Sequence, residues 1–353
     1  MAWSKIDIIK GDGTIVQAQA PVIISASRST DIPAFYADWF FHRLEKGYSA
    51  WTNPFNGVRS YVVYQKTRFI VFWSKNPRPL IPYIDYLKAH HIGCYIQYTL
   101  NDYESEQLEK NVPDLQYRID TFKMLVDKLG KGSVVWRFDP LVLTDEISQN
   151  RLLEKIQNIG DELNGYTEKL VFSYADISSY RKVKNNLDNS GIRYMEWDEM
   201  QMRDFAQKLW SINHRWNYDL ATCGEKIDLS SYGIQHNHCV DETLIARLAY
   251  RDRELMKFLG IEVKKQELDL FGESPIPDNA IRLEDGLYAV KTKDNRDKGQ
   301  RLFCGCMVSK DIGEYNTCPH LCEYCYANSN KETALKNYGV HMRNPDAETI
   351  TGR

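Results

Sequence analysis

Eight short runs, almost wholly apolar or aromatic, recur between residues 22 and 223 and alternate with segments of helical spacing. They are VIISAS (22–27), YSAWTN (48–53), RFIVFWS (68–74), CYIQYTL (94–100), SVVWRF (133–138), KLVFSY (169–174), IRYMEW (192–197) and YDLATC (218–223). A strand with one wet face alternates apolar and polar residues, so near-continuous runs mark strands covered on both faces. Between them, 115–129 places Ile119, Phe122, Leu125 and Leu129 on one helical stripe. Segments 147–163 (Leu152, Ile156, Ile159, Leu163) and 199–214 (Met202, Phe205, Leu209, Ile212) repeat the pattern. The run 58–64, VRSYVVY, reads as an additional strand. Strand-then-helix order sustained over 200 residues implies a parallel sheet with right-handed crossovers. The expected fold is α/β, a TIM-like (β/α) barrel over 21–226, closed or nearly so. Residues 1–20, with the turn GDG at 11–13, predict a hairpin ahead of it. Residues 227–353 form a C-terminal helical and cysteine-rich segment, with a helix at 241–259 capped by Asp241 and a polar surface excursion at 270–300.

Composition narrows the partners. Forty-five basic against 48 acidic residues give a net charge of −3, which argues against a general nucleic-acid or anionic-membrane binder. No apolar run approaches a membrane span, and the first residues lack a signal peptide's apolar stretch, so a cytoplasmic protein is expected.

Several runs finish in polar residues: Arg28 and Asp31, Asn53, Lys75 and Asn76, Arg137 and Asp139, and Cys223 with Glu225. In a parallel barrel these ends share the rim where active sites are built. Three cations there (Arg28, Lys75, Arg137) suit an anionic or amino-acid ligand, and Asn53 and Asn76 are candidate cofactor contacts. The plainer reading is that loops are polar, and Arg137 with Asp139 equally suits a structural ion pair.

Five of the eight cysteines fall between 304 and 325, a clustering that favours metal ligation over disulfides in a large chain without an export signal. Cys318, Cys322 and Cys325 form C-x3-C-x2-C. Three thiolates so close can hold three irons of a tetranuclear iron–sulfur cluster and leave the fourth open. A structural zinc would need a further donor. His320, inside the loop, is expected to hydrogen-bond rather than ligate. Cys223, Cys239, Cys304 and Cys306 are candidates for a second zinc or iron–sulfur site, with His236 and His238 as substitute ligands; the alternative is reduced thiols. Cys94, among apolar residues, reads as core.

CPHLCEYCYAN resembles the cluster loop of radical S-adenosylmethionine enzymes, and its YCY context is similar to that of spore photoproduct lyase. The chain as a whole resembles the bacterial "domain of unknown function 1848" family through SASRSTDIPAF, NPFN, FWSKNP, WRFDP, LFCGC, SKDIGEYNTC and CPHLCEYCYAN, from about residue 20 to 330. The resemblance implies a [4Fe-4S] cluster, S-adenosylmethionine and an electron donor such as flavodoxin or ferredoxin, and it sets Tyr324 beside the adenine. It leaves the small-molecule or peptide substrate unnamed. Two features depart from the radical enzymes. Their cluster loop follows the first strand, not the last elements, and their glycine-rich motif for the methionine amine is not evident here. The chemistry therefore requires the cysteine-rich tail to cross the strand C-terminal face. Competing readings are a zinc-dependent barrel hydrolase and a non-enzymatic iron–sulfur redox or sensor protein.

Overall fold

Lys5–Ile9 (β1) and Ile15–Gln19 (β2) pair antiparallel around the GDG turn, where Gly13 takes a positive φ of 83°. The computed structural model describes residues 3–53, 56–266, 268–269, 272–273, 275–301 and 303–352. Pro54 and Phe55 of the NPFN run, and Leu302 of the LFCGC run, lie outside the described residues.

After the hairpin come β3 (Ile23–Ala26), β4 (Tyr48–Thr52), β5 (Arg59–Val63), β6 (Phe69–Ser74), β7 (Gly93–Thr99) and β8 (Val134–Leu141). Then follow β9 (Leu143–Thr144), β10 (Lys169–Tyr174), β11 (Tyr194–Met195), β12 (Asp219–Thr222) and β13 (Gln235–His236). The remainder holds β14 (Ile261–Lys265), β15 (Leu268–Asp269), β16 (Gly272–Glu273), β17 (Ile281–Arg282), β18 (Leu287–Lys291) and β19 (Lys310–Asp311). The main sheet has eight strands in the order β13-β12-β10-β8-β7-β6-β3-β19, with every neighbouring pair parallel.

Six of the eight runs supply strands of this sheet; two do not. The 48–53 run becomes β4, which pairs antiparallel with β5 in a four-stranded sheet that also holds the hairpin. Its connection to β5, residues 53–58, is long enough for a hairpin and far too short for a parallel crossover. The 192–197 run shrinks to β11, paired antiparallel with β9. Arg193 and Glu196 interrupt its apolar character, and Met195 is exposed. The outer places go instead to β13 and β19, both from the C-terminal part. The expected barrel, closed or nearly so, is seen as this eight-stranded parallel sheet; among the described residues no pairing joins β13 to β19.

Alternate residues along the strands explain why both faces are dry. Ile24, Ile70, Phe72, Ile96, Trp136 and Phe172 join one core with residues of the helices Leu115–Leu129, Gln149–Glu162 and Glu199–Asn213. On the other face Ile23, Phe69, Val71, Tyr95, Val135 and Val171 pack with Leu244, Ile245, Leu255, Leu259 and Met307. A closed barrel would fill that face with its own side chains; here the C-terminal segment fills it. Asp241 caps the helix Glu242–Ala249 through Thr243 and Leu244 N–H. The single helix expected over 241–259 is two, because Asp252 caps a second at Arg253–Leu259. The 270–300 stretch is not wholly irregular: β17 and β18 extend a sheet begun by β14.

Candidate metal centre on the strand ends

Strand β19 brings the cysteine tail to the sheet. It lies parallel to β3, so the chain leaving Asp311 starts on the rim where β3 also ends. Asp311 accepts from Ser27 Oγ (2.8 Å), Arg28 N (2.9 Å) and Gly313 N (2.9 Å). A Cβ at Gly313 would collide with Ser27 and Ser29, so only glycine permits this approach.

From there the loop Cys318–Cys325 is pinned at two points. His320 sits with Nε2 2.9 Å from Asp31 Oδ2 and Nδ1 3.1 Å from the Asn111 carbonyl, the hydrogen-bonding role expected of it. Asp31 also accepts from Ser74 Oγ and Lys75 N, both at 2.7 Å. Burial would raise the Asp31 carboxyl, but the bond to His320 and the further donors hold it below its ordinary value. The second pin is Tyr324, whose hydroxyl donates to Glu109 and receives Lys75 Nζ (2.8 Å) and Asn101 Nδ2 (3.0 Å). Lys75 Nζ lies 2.7 Å from Glu109, Arg118 Nη1 3.6 Å from it, and Asn101 Nδ2 also reaches the Asp139 carbonyl at 3.3 Å. The loop therefore rests on residues at the C-terminal ends of β3, β6, β7 and β8.

The three loop thiols are unbridged, with Cys322 buried and Cys318 and Cys325 half-buried. Burial pushes all three above their ordinary range, and each thiol sits within electrostatic reach of another. Cys325 Sγ accepts from Asn328 N at 3.4 Å. A thiophilic metal would supply the positive charge that lets three such thiols ionise together. The donor set fits such a group.

Two of the other four cysteines touch and a third lies beside them: Cys223 Sγ and Cys239 Sγ are 3.4 Å apart, and Cys306 Sγ accepts from Cys239 N at 3.1 Å, with Cys304 two residues before it. His236 is exposed on β13, and His238 turns to Glu242 (3.3 Å). Cys94 packs against the core, as expected, and burial pushes its thiol up to about 12.

The three cations do not converge as free charges. Lys75 is spent on Glu109 and Tyr324. Arg137 bonds Asp139, Gln97 Oε1 (3.2 Å) and Cys239 Sγ (3.2 Å), so the ion-pair reading of Arg137 and Asp139 holds. Arg28 stacks on Trp73 (5.0 Å) and keeps a buried Nη2 without a hydrogen-bond partner among the described residues. Asn76 likewise keeps a buried, unpartnered Oδ1. Asn53 lies in the turn after β4, where its N–H bonds the Val58 carbonyl at 3.0 Å. Asp139 receives Ser173 Oγ, and nearby Glu225, bonded to Tyr174 N (2.9 Å), is pushed up to about 7 by burial.

The family described as "Domain of unknown function (DUF1848)" matches residues 23–327, from β3 through the whole cysteine loop. The chain belongs to that family. No curated protein and no solved structure matches it. The DUF1848 match ends two residues past Cys325, so both cysteine sets lie inside it. Sequence reasoning missed Glu109 and Arg118, the buried pair beneath the loop of this DUF1848 chain. Glu109 stands in an ordinary polar stretch, and Arg118 sits on the helix 115–129 with nothing to mark it as buried. Among the described residues no helix is long and apolar enough to cross a membrane.

Proposed function

We propose that this DUF1848 protein is a radical S-adenosylmethionine-type iron–sulfur enzyme acting on a small-molecule or peptide substrate. The observation that carries the reading is the seat of Cys318, Cys322 and Cys325 on the C-terminal strand ends, the rim where parallel α/β sheets bind ligands. A tetranuclear cluster held there would supply an open iron for the amino-acid end of S-adenosylmethionine and the electron that breaks its sulfonium bond.

The chain's own residues bind, orient and exclude water. His320–Asp31 and Tyr324–Glu109–Lys75 hold the loop against the sheet, so that its three cysteines stay together over the strand ends. Asn76 Oδ1 offers an acceptor for a ligand ammonium, and Arg28 Nη2 a donor for a ligand carboxylate. Arg137 and Ser173 each bond one oxygen of the Asp139 carboxylate and fix it at the strand end, where a substrate hydroxyl or amine would compete for it. The electron comes from a donor of the flavodoxin or ferredoxin class.

Anaerobic reconstitution with iron and sulfide tests the reading. The expected product is a brown protein absorbing near ~400 nm that converts S-adenosylmethionine, with dithionite, to methionine and 5′-deoxyadenosine or to another cleavage pair. A fully loaded protein that neither binds nor cleaves S-adenosylmethionine overturns it.

A further inference from the structure

We propose that Cys223, Cys239, Cys304 and Cys306 form a second metal centre, a four-thiolate site for a thiophilic metal buried on the sheet face covered by the C-terminal segment. The proposal does not rest on the first cluster. Its ligands come from three separate places in the chain: the end of β12, the turn ahead of the helix Glu242–Ala249, and the Cys304-Gly305-Cys306 loop. Only the tertiary fold joins them.

Cys239 carries the argument. Its sulfur stands 3.4 Å from Cys223 Sγ and accepts from Arg137 Nη1 at 3.2 Å and Asn237 Nδ2 at 3.4 Å. A guanidinium and an amide N–H are both aimed at this sulfur, the kind of outer contact that orients a metal-binding thiolate. Cys306 Sγ accepts two backbone donors, Cys239 N at 3.1 Å and Val240 N at 3.5 Å. Backbone N–H groups aimed at sulfur stabilise negative charge there and orient the ligand. Gly305 is wedged against the His238 ring, where a Cβ would collide, so the loop presents Cys304 and Cys306 in one arrangement. Arg28 adds positive charge on the same side, its buried Nη2 without a hydrogen-bond partner among the described residues.

The spacing says how the sulfurs are shared. Two thiolates on one tetrahedral metal, with bonds of about 2.3 Å, stand about 3.8 Å apart. The Cys223–Cys239 separation of 3.4 Å is close to that. It fits two ligands of one metal ion, zinc or one iron of a binuclear cluster; among the described residues no three cysteine sulfurs lie within 4.8 Å of one another, so Cys304 and Cys306 close on the metal only as it binds. The shared chemistry is tetrathiolate ligation, and metal analysis separates the two occupants.

The test uses the full chain carrying Cys318→Ala, Cys322→Ala and Cys325→Ala, purified anaerobically, so that metal found there does not belong to the first cluster. We expect about one zinc, or about two irons with inorganic sulfide, per chain. Adding Cys304→Ser, at the half-buried ligand, should lower retained metal at least ~10-fold, while exposed His236→Ala should leave it unchanged. Circular dichroism confirms that each variant is folded. A folded triple variant without metal, a Cys223–Cys239 disulfide in the anaerobic protein, or metal retained in full after both Cys239→Ser and Cys306→Ser overturns the proposal. Failure of S-adenosylmethionine cleavage in the wild-type chain, fully loaded and with this second metal present, would overturn the proposed function alone.

Discussion

Lys75 and Tyr324 change meaning between one dimension and three. As letters they read as a ligand cation and an adenine neighbour; in the fold they share Glu109 beneath the cysteine loop. Arg118 joins them with a side chain 1% exposed, so the network is a buried charge cluster rather than a surface pair. Breaking such a cluster leaves its partners uncompensated at a cost of about 3–5 kcal/mol. Glu109→Gln should therefore lower unfolding free energy by about that amount in urea titrations and weaken cluster retention together. Cys322→Ala makes a narrower change. With one of three ligands gone, the variant should fail to assemble the tetranuclear cluster, read as lost iron and a changed EPR signal of the reduced protein. Near-wild-type iron would refute the ligand assignment. The cysteine sets were legible because C-x3-C-x2-C and C-x-C are local spacings. Glu109 was not, because an isolated glutamate gains its role only from Lys75 and Arg118, which approach it from two other elements.

The strands that carry the site were readable where apolar runs were continuous. β6, β7 and β8 lie in the middle of the sheet and are covered on both faces, so sequence character and position agree. β13 and β19 are two-residue edge strands, whose pairing is set by neighbours and leaves almost no local pattern. The junction of the helix Glu242–Ala249 with β18 gives a pH test at this scale. Burial would raise the Glu242 carboxyl, but His238 and Lys291 (2.6 Å) hold it down to about 2. A carboxylate with a folded pKa below its unfolded value stabilises the fold above the unfolded pKa, and that stability is lost as pH falls toward the folded one. From 4.5 to about 2, the contribution is about 3 kcal/mol. The stability gap between wild type and Glu242→Gln should be widest near pH ~5–6 and narrow as acidification passes below the unfolded value. A gap that stays constant down to pH ~3 would refute the pairing.

At the scale of the molecule, the last third of the chain completes what the first two thirds begin. It covers one sheet face, adds an edge strand beside β3, and lays the cysteine loop over the strand ends. Beyond that loop the helix Lys331–Arg343 leads to Glu348, which pairs with Arg59 at 2.9 Å beside β4. Cluster loss should accordingly loosen the rim and spare the outer helices. In the triple alanine variant, amide exchange is expected to rise over 312–328 and 101–111 while 152–160 stays protected. Uniform loss of protection would mean that the cysteines hold the whole fold rather than the rim.

The sequence by itself determined the α/β class, the parallel order of the central strands, the N-terminal hairpin and both groups of cysteines, because each is written in local periodicity or spacing. Only the tertiary structure decided that β13 and β19 take the outer places of the sheet and that Lys75 and Arg137 are spent on partners. It also decided that Cys239 lies beside Cys223 and Cys306. Edge pairing, charge pairing and sulfur contact depend on which distant segment occupies a shared face. Here the segment 239–311 takes that place beside the strands, and no pattern within any one run encodes its arrival.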